Sequence, residues 1–261
     1  MEGTADAVTG DETTPPSPDR RRRRTEKTAE WVAREILSDI VDRELEPGSK
    51  LAPQAEMLED FQVGRASLRE ALRILETHGL ITIKPGPGGG PVVSGVHGAD
   101  FGRMATVFLH ASGATFRELV AARLVIEPLM ARQAAERQSR DAPPELHEAL
   151  QRSREVSDDG DRGYISASTS FHDVVTSHSG NRVLDLIARA LKEIYVERIR
   201  EIAYEPSERA RILEAHEAIA DAILAGDGDT AETLMREHMV EYVEVISAKF
   251  PGVMDETVEW R

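Results

Sequence analysis

"VGRASLREALRILETHGLITIKPGPGGGPVV", Val63–Val93, carries two patterns in succession. In the first, Leu68, Ala71, Leu72 and Leu75 recur at the three- and four-residue spacing of one helical face. Arg65, Arg69 and Arg73 recur at every fourth residue and form a separate stripe on the same helix. Gly64 stands where an N-cap is wanted and Gly79 where a helix ends on a left-handed residue, so the spacing predicts a helix over Arg65–His78. In the second pattern, "LITIK" and "PVVSG" are short β-rich runs joined by "PGPGG", which reads as a strand, a tight turn and a returning strand.

Upstream, Trp31, Val32, Ile36, Ile40 and Val41 share a helical period, which predicts a helix from Thr25 that ends at "EPGS", Glu46–Ser49. A second, shorter helix fits "PQAEMLEDF", with Pro53 tolerated in its first turn and Met57, Leu58 and Phe61 facing inward. Three helices and a hairpin within about 70 residues describe a winged helix-turn-helix. After Gly95 the pattern changes: Ala99–Phe250 reads as seven amphipathic helices. The expected class is therefore mainly α, with a tail and basic arm over 1–24, a winged domain over 25–95 and an all-helical domain over 98–250.

Charge is unevenly spread. Residues 1–19 carry five acids and no base, residues 20–95 thirteen bases and twelve acids, and residues 96–261 nineteen bases and thirty acids, within a net charge of -15. An acidic body argues against polyanion binding by the whole surface but leaves room for one basic face. The first nineteen residues, polar and rich in Pro and Thr, are expected to be disordered. There is no cysteine, hence no disulfide and no thiolate metal site. No apolar run approaches the roughly 18–20 residues of a membrane span, and the run Arg20–Arg24 leads into an amphipathic segment where a secretory signal would be greasy. A cytoplasmic location is expected.

A recognition helix lays its opening turns in the major groove, where Arg grips guanine O6 and N7 together. Arg65 and Arg69 occupy those turns, Arg73 is better placed for phosphate, and Ser67 and the opening amides are further phosphate partners. The turn at Gly86–Gly90 carries almost no side chains, so its backbone can approach a sugar-phosphate edge. A charged surface helix and an exposed hairpin, each common by itself, are the alternative. Their order and spacing after two short helices favour DNA. The glycines are not a nucleotide loop, because no Gly-Lys-Ser/Thr follows them.

The block "EPGSKLAPQAEMLEDFQVGRASLREALRILETHGLITIKPGPGGGPV" closely resembles the winged-helix domain of the GntR regulators. The helical remainder looks like the FCD ligand-binding domain of the FadR subfamily, seven helices placing it in the FadR-type branch. The resemblance implies DNA contacts at Arg65, Arg69 and Gly86, with Ser67 on phosphate. Ala55 stands where many members carry an operator-reading arginine, which implies a different operator preference.

By spacing alone His172, His216 and His238 are far apart and read as scattered surface or core histidines. The resemblance instead implies that they form the FCD metal site, holding one divalent ion such as Zn, Ni or Mn. Its fourth ligand, an Asp one turn before the first His, is here Ser168, which removes a negative charge and an oxygen ligand. Arg123 and Glu127 match an R-x-x-x-E of the same domain. Arg123 suits a carboxylate effector through two parallel hydrogen bonds, and the alternative is an ordinary intrahelical pair. Asn181 is read either as an effector contact or as a helix cap.

The expected function is a homodimeric regulator that reads a short palindromic operator and is controlled by a small carboxylate or acyl effector, repression relieved by ligand being the expected arrangement. Two alternatives remain: a sensor for which the metal is the signal, and a DNA-tethered metalloenzyme with water activated on three histidines. Against the enzyme, no paired carboxylates stand beside the histidines at a spacing for acid-base work, and Asp173, adjacent to His172, diverges from it by ~100° round a helix.

Overall fold

The computed structural model describes residues 18–86, 88–137, 144–155, 161–199 and 204–260. Of the nineteen residues expected to be disordered, 1–17 lie outside the described residues, and Pro18 and Asp19 instead open a helix. The chain divides into two compact units, Met1–Val96 and His97–Arg261.

The first unit contains α1 (Pro18–Asp42), α2 (Gln54–Asp60), α3 (Arg65–Thr77), β1 (Ile81–Lys84) and β2 (Gly90–Val93). Helix α1 starts at Pro18, earlier than the expected Thr25, so the backbone of Arg20–Arg24 is helical. Proline at a first helical position with Asp19 behind it suits a helix start, and the apolar period used to find this helix has no reach into a run of arginines. Val32 and Ile36 of α1, Met57 of α2, Leu68, Leu72 and Leu75 of α3, and Ile81 and Val93 of the strands share one core. The strands pair antiparallel, with Ile81 opposite Val93 and Lys84 opposite Gly90. The hairpin also has a third edge that the sequence did not announce: Lys50 bridges to Val92, and Val93 N–H donates to Ser49 C=O at 2.9 Å.

The second unit holds α4 (Gly98–Ser112), α5 (Phe116–Glu136), α6 (Pro144–Glu155), α7 (Asp161–His178), α8 (Arg182–Ile199), α9 (Pro206–Leu224) and α10 (Gly228–Lys249). Helix α5 is central, packing against α7, α8, α9 and α10. It begins in a capping box, Thr115 Oγ1 accepting from Glu118 N–H while Glu118 Oε2 accepts from Thr115 N–H at 2.8 Å. Ala131, Ala134 and Ala135 let neighbouring helices come close around Phe171, Ile219, Ile223, Met235 and Met239. Helix α4 lies against α8 at two glycines. A Cβ on Gly98 would stand 2.3 Å from Arg189 Cβ, and one on Gly102 would stand 3.3 Å from the Ala190 carbonyl oxygen.

After α10 the chain turns through a short 3-10 segment, Val253–Asp255, and runs back as a strap over the α4–α5 junction. Val258 N–H donates to Ala114 C=O at 2.8 Å and Phe116 N–H to Glu256 C=O at 2.9 Å. Val253, Met254 and Val258 are buried with Phe116, Tyr164, Tyr195 and Tyr204.

Candidate functional site

Two groups of residues carry chemistry, one in each unit. In the first, Gly64 opens α3 in extended backbone and offers no side-chain cap, leaving the first amides available to an anion. Arg65 and Arg69 are exposed on those turns, and among the described residues neither has an ion-pair or hydrogen-bond partner. Arg73, one turn on, is exposed but held by Glu70, with Nη2 to Oε1 at 2.6 Å and Nε to Oε2 at 3.0 Å. Ser67 corrects the sequence reading. It lies on the buried stripe with Ala71 and Leu75 and is only 9% exposed, so it is the opening backbone N–H groups, not its side chain, that face solvent. Gly86 sits at φ +92° with open space where a side chain would be, and Gly89 N–H closes the turn onto its carbonyl at 2.9 Å. Pro87, within the same turn, lies outside the described residues.

In the second unit, α7, α9 and α10 bring His172, His216 and His238 together, all three buried. His216 Nε2 lies 3.2 Å from His238 Nε2, which lies 3.4 Å from His172 Nε2. His172 Nδ1 is 2.6 Å from Glu127 Oε2, and Arg123 Nε donates to Glu127 Oε1 at 2.6 Å. A proton on His172 Nδ1, donated to that carboxylate, leaves the Nε2 lone pair facing the other two rings. Burial pushes the Glu127 carboxyl up, but Arg123 and His172 outweigh it and hold it well below the usual carboxylate range. Burial, together with the neighbouring imidazoles, lowers His216 well below the ordinary histidine value and His238 to about 3. Both rings are therefore neutral near pH 7, the form that binds metal.

Among the described residues, the donors close enough to share an ion are these three histidines and no carboxylate. Ser168 is half-buried on α7, one turn before His172. Asn181 is exposed, and its Oδ1 accepts from Val183 and Leu184 N–H at 3.2 Å each. Its observed role is thus the cap of α8, and it is not brought to the histidines.

Sequence reasoning missed the tyrosines. The chain has four, and all of them stand in one cluster: Tyr195 beneath the Arg123 guanidinium at 4.3 Å, Tyr242 beside Tyr195, and Tyr204 against both Tyr242 and Tyr164. Their confinement to the second unit was a signal available in the sequence. The bond between Glu127 and His172, forty-five residues apart, was not. Buried polar atoms without a partner among the described residues are Gln133 Oε1, Tyr164 Oη, Tyr195 Oη and His216 Nδ1, and the last three belong to this centre.

The model of the gntR family of bacterial regulatory proteins matches residues 28–89, and the FCD domain model matches residues 118–241. The HTH-type transcriptional repressor NanR of Cronobacter sakazakii is 32% identical over 237 residues, covering 84% of this chain and 85% of that protein. The HTH-type transcriptional regulator LutR of Bacillus subtilis is 28% identical over 216 residues, 81% of this chain and 97% of that protein. Among solved structures, a Streptococcus agalactiae GntR protein superposes with a TM-score of 0.68 at 25% identity, covering 83% of this chain and 99% of the other.

Proposed function

Because the chain belongs to the GntR family of bacterial regulatory proteins and carries an FCD domain, we propose that it represses transcription from a short palindromic operator as a homodimer and releases it on binding a small carboxylate or acyl effector. The observation that carries the DNA half is the pair Arg65 and Arg69, exposed and without a partner among the described residues on the opening turns of α3, in a chain that is otherwise acidic. Arg73 and Gly86 take backbone contacts beside them. Self-association is supported by an unpartnered apolar stripe on α4, where Phe101 and Met104 are each 38% exposed and Phe108 71%.

The effector half rests on the histidine centre. Its donor set fits a divalent ion such as Zn, Ni or Mn: the Nε2 separations of 3.2 and 3.4 Å bracket the edge, about 3.3–3.4 Å, of a tetrahedron with metal–nitrogen distances of about 2.0–2.1 Å. His172, His216 and His238 would hold such an ion, which would supply positive charge for an anionic effector. Glu127 fixes the tautomer of His172, Arg123 neutralises Glu127, and Tyr195 offers a spare hydroxyl. Glu127 is committed on both oxygens, which argues against its use as a general base and hence against a hydrolytic centre.

A second reading takes the metal itself as the signal, because among the described residues the buried donors close enough to share an ion are three histidines. The deciding experiment selects operator sites from genomic fragments, then measures binding with metal-stripped, metal-loaded and effector-treated protein. The proposal expects a palindrome bound at least ~10³-fold tighter than random DNA, with release on a carboxylate. Equal affinity for all fragments overturns the regulator reading, and release by metal alone replaces the organic effector with the ion.

A further inference from the structure

Neither α3 nor the histidine centre uses the run Arg20–Arg24, yet the fold builds it into a helix. Helix α1 starts at Pro18, whereas among the described residues the first member of α1 in the core of its unit is Ala29. Pro18–Thr28, about 16 Å of helix at 1.5 Å per residue, precede the packed part of α1. We infer that this overhang is a second DNA-binding surface, a sequence-independent clamp on phosphates of the duplex that α3 reads. It rests on the assignment of α3 to DNA.

Placement selects the partner. The Trp31 ring of α1 meets the Phe61 ring edge-on, with centroids 6.1 Å apart. Phe61 closes α2, and only Gln62, Val63 and Gly64 separate it from Arg65. Beyond the other end of α1 the chain reaches the base of the hairpin, where Gly48 N–H donates to Val93 C=O at 2.9 Å. Counting back from Trp31, Arg24 lies about 10 Å and Arg20 about 16 Å along the helix axis. The run therefore belongs to the end of the unit where α3 opens, and one duplex can meet both.

Charge selects the same partner, however the residues pair among themselves. Residues 18–30 hold six bases, Arg20–Arg24 and Lys27, and three acids, Asp19, Glu26 and Glu30, a surplus of three positive charges. Arg20 and Arg24 stand four residues apart, and Arg20 and Arg23 three, spacings at which like charges oppose a helix. Cations in the opening turns also oppose the helix dipole. A polyanion removes both penalties. Consecutive arginines, spread round the axis at ~100° per residue, suit a charged backbone rather than one base edge.

The test is fluorescence anisotropy of the full chain on labelled duplexes of the selected operator and of random sequence, repeated across salt. Wild type is set beside two quintuple variants, Arg20→Gln through Arg24→Gln and Arg20→Lys through Arg24→Lys. The Gln variant should bind both duplexes ~10-fold or more weaker at about 0.1 M salt, with a slope of log affinity against log salt shallower by about two or more. The ratio of operator to random affinity should not change, and the Lys variant, which keeps the charge, should keep the slope. A wild-type slope in the Gln variant overturns the inference, as does a loss confined to the operator. A Lys variant as weak as the Gln one also overturns it, making the arginines a structural need of the helix. Random DNA reads a phosphate clamp by itself: if wild type prefers no fragment but the Gln variant still loses slope, the regulator reading fails and the clamp stands. If the Gln variant loses only its sedimentation with phosphatidylglycerol vesicles, a membrane surface is the partner and the inference falls.

Discussion

Arginine does opposite things in the two units. On α3, Arg65 and Arg69 are exposed and hold no partner among the described residues. On α5, Arg123 is 4% exposed, bonded to Glu127 and laid on Tyr195. A free guanidinium costs the folded protein little and exchanges water and counterions for DNA when it binds. A buried one has given up its hydration already and is worth keeping only inside a satisfied network. Removing the first kind should therefore be felt by a partner, and removing the second kind by the fold.

The sharpest way to break that contrast is Glu127→Ala, which strands the Arg123 charge in the interior and takes the acceptor from His172. Chemical denaturation should show a loss of about 3–5 kcal/mol; a change within about 0.5 kcal/mol would mean that water reaches Arg123 and the network is not closed. Next comes Ser168→Asp, which restores a carboxylate beside the three histidines. Metal competition should show affinity rising by about 10–100-fold or more, and an unchanged value would place Ser168 outside the coordination shell. Arg69→Ala should weaken specific operator binding by about 1–3 kcal/mol and relax base choice while leaving stability within about 0.5 kcal/mol. Equal losses on operator and random DNA would reduce Arg69 to a phosphate contact. The smallest effect belongs to Arg73→Ala, which should weaken all DNA alike and lower the salt slope by about one; a slope that does not move would leave Arg73 paired to Glu70 in the complex as well.

How far the sequence could be read depended on the range of the interactions concerned. Leu68, Leu72 and Leu75 announced α3 because an amphipathic helix is a local pattern, and "PGPGG" announced the hairpin because its turn is local too. The third edge at Ser49–Val93 was invisible, since nothing in "PGSKL" alternates in a way that a strand requires. In the second unit the breaks between helices were legible from Gly and Pro, but which faces meet was not. The three histidines gained their meaning from a resemblance, and only the packing of α5 against α7 disclosed that Glu127 serves His172 as well as Arg123. Ser67 misled for the converse reason: a polar residue in a contact-rich turn looks like a ligand, while its register puts it on the buried stripe.

The two glycines of α4 have a mechanical consequence. The close seating of α8 on Gly98 and Gly102 leaves no room for a side chain at either position, so a substitution there would push α4 and α8 apart. Helix α8 carries Tyr195, the plate on which Arg123 rests, and α4 begins where the first unit's chain gives way to the second at His97. A larger residue at either glycine would therefore disturb both the seat of Arg123 and the helix that opens the second unit.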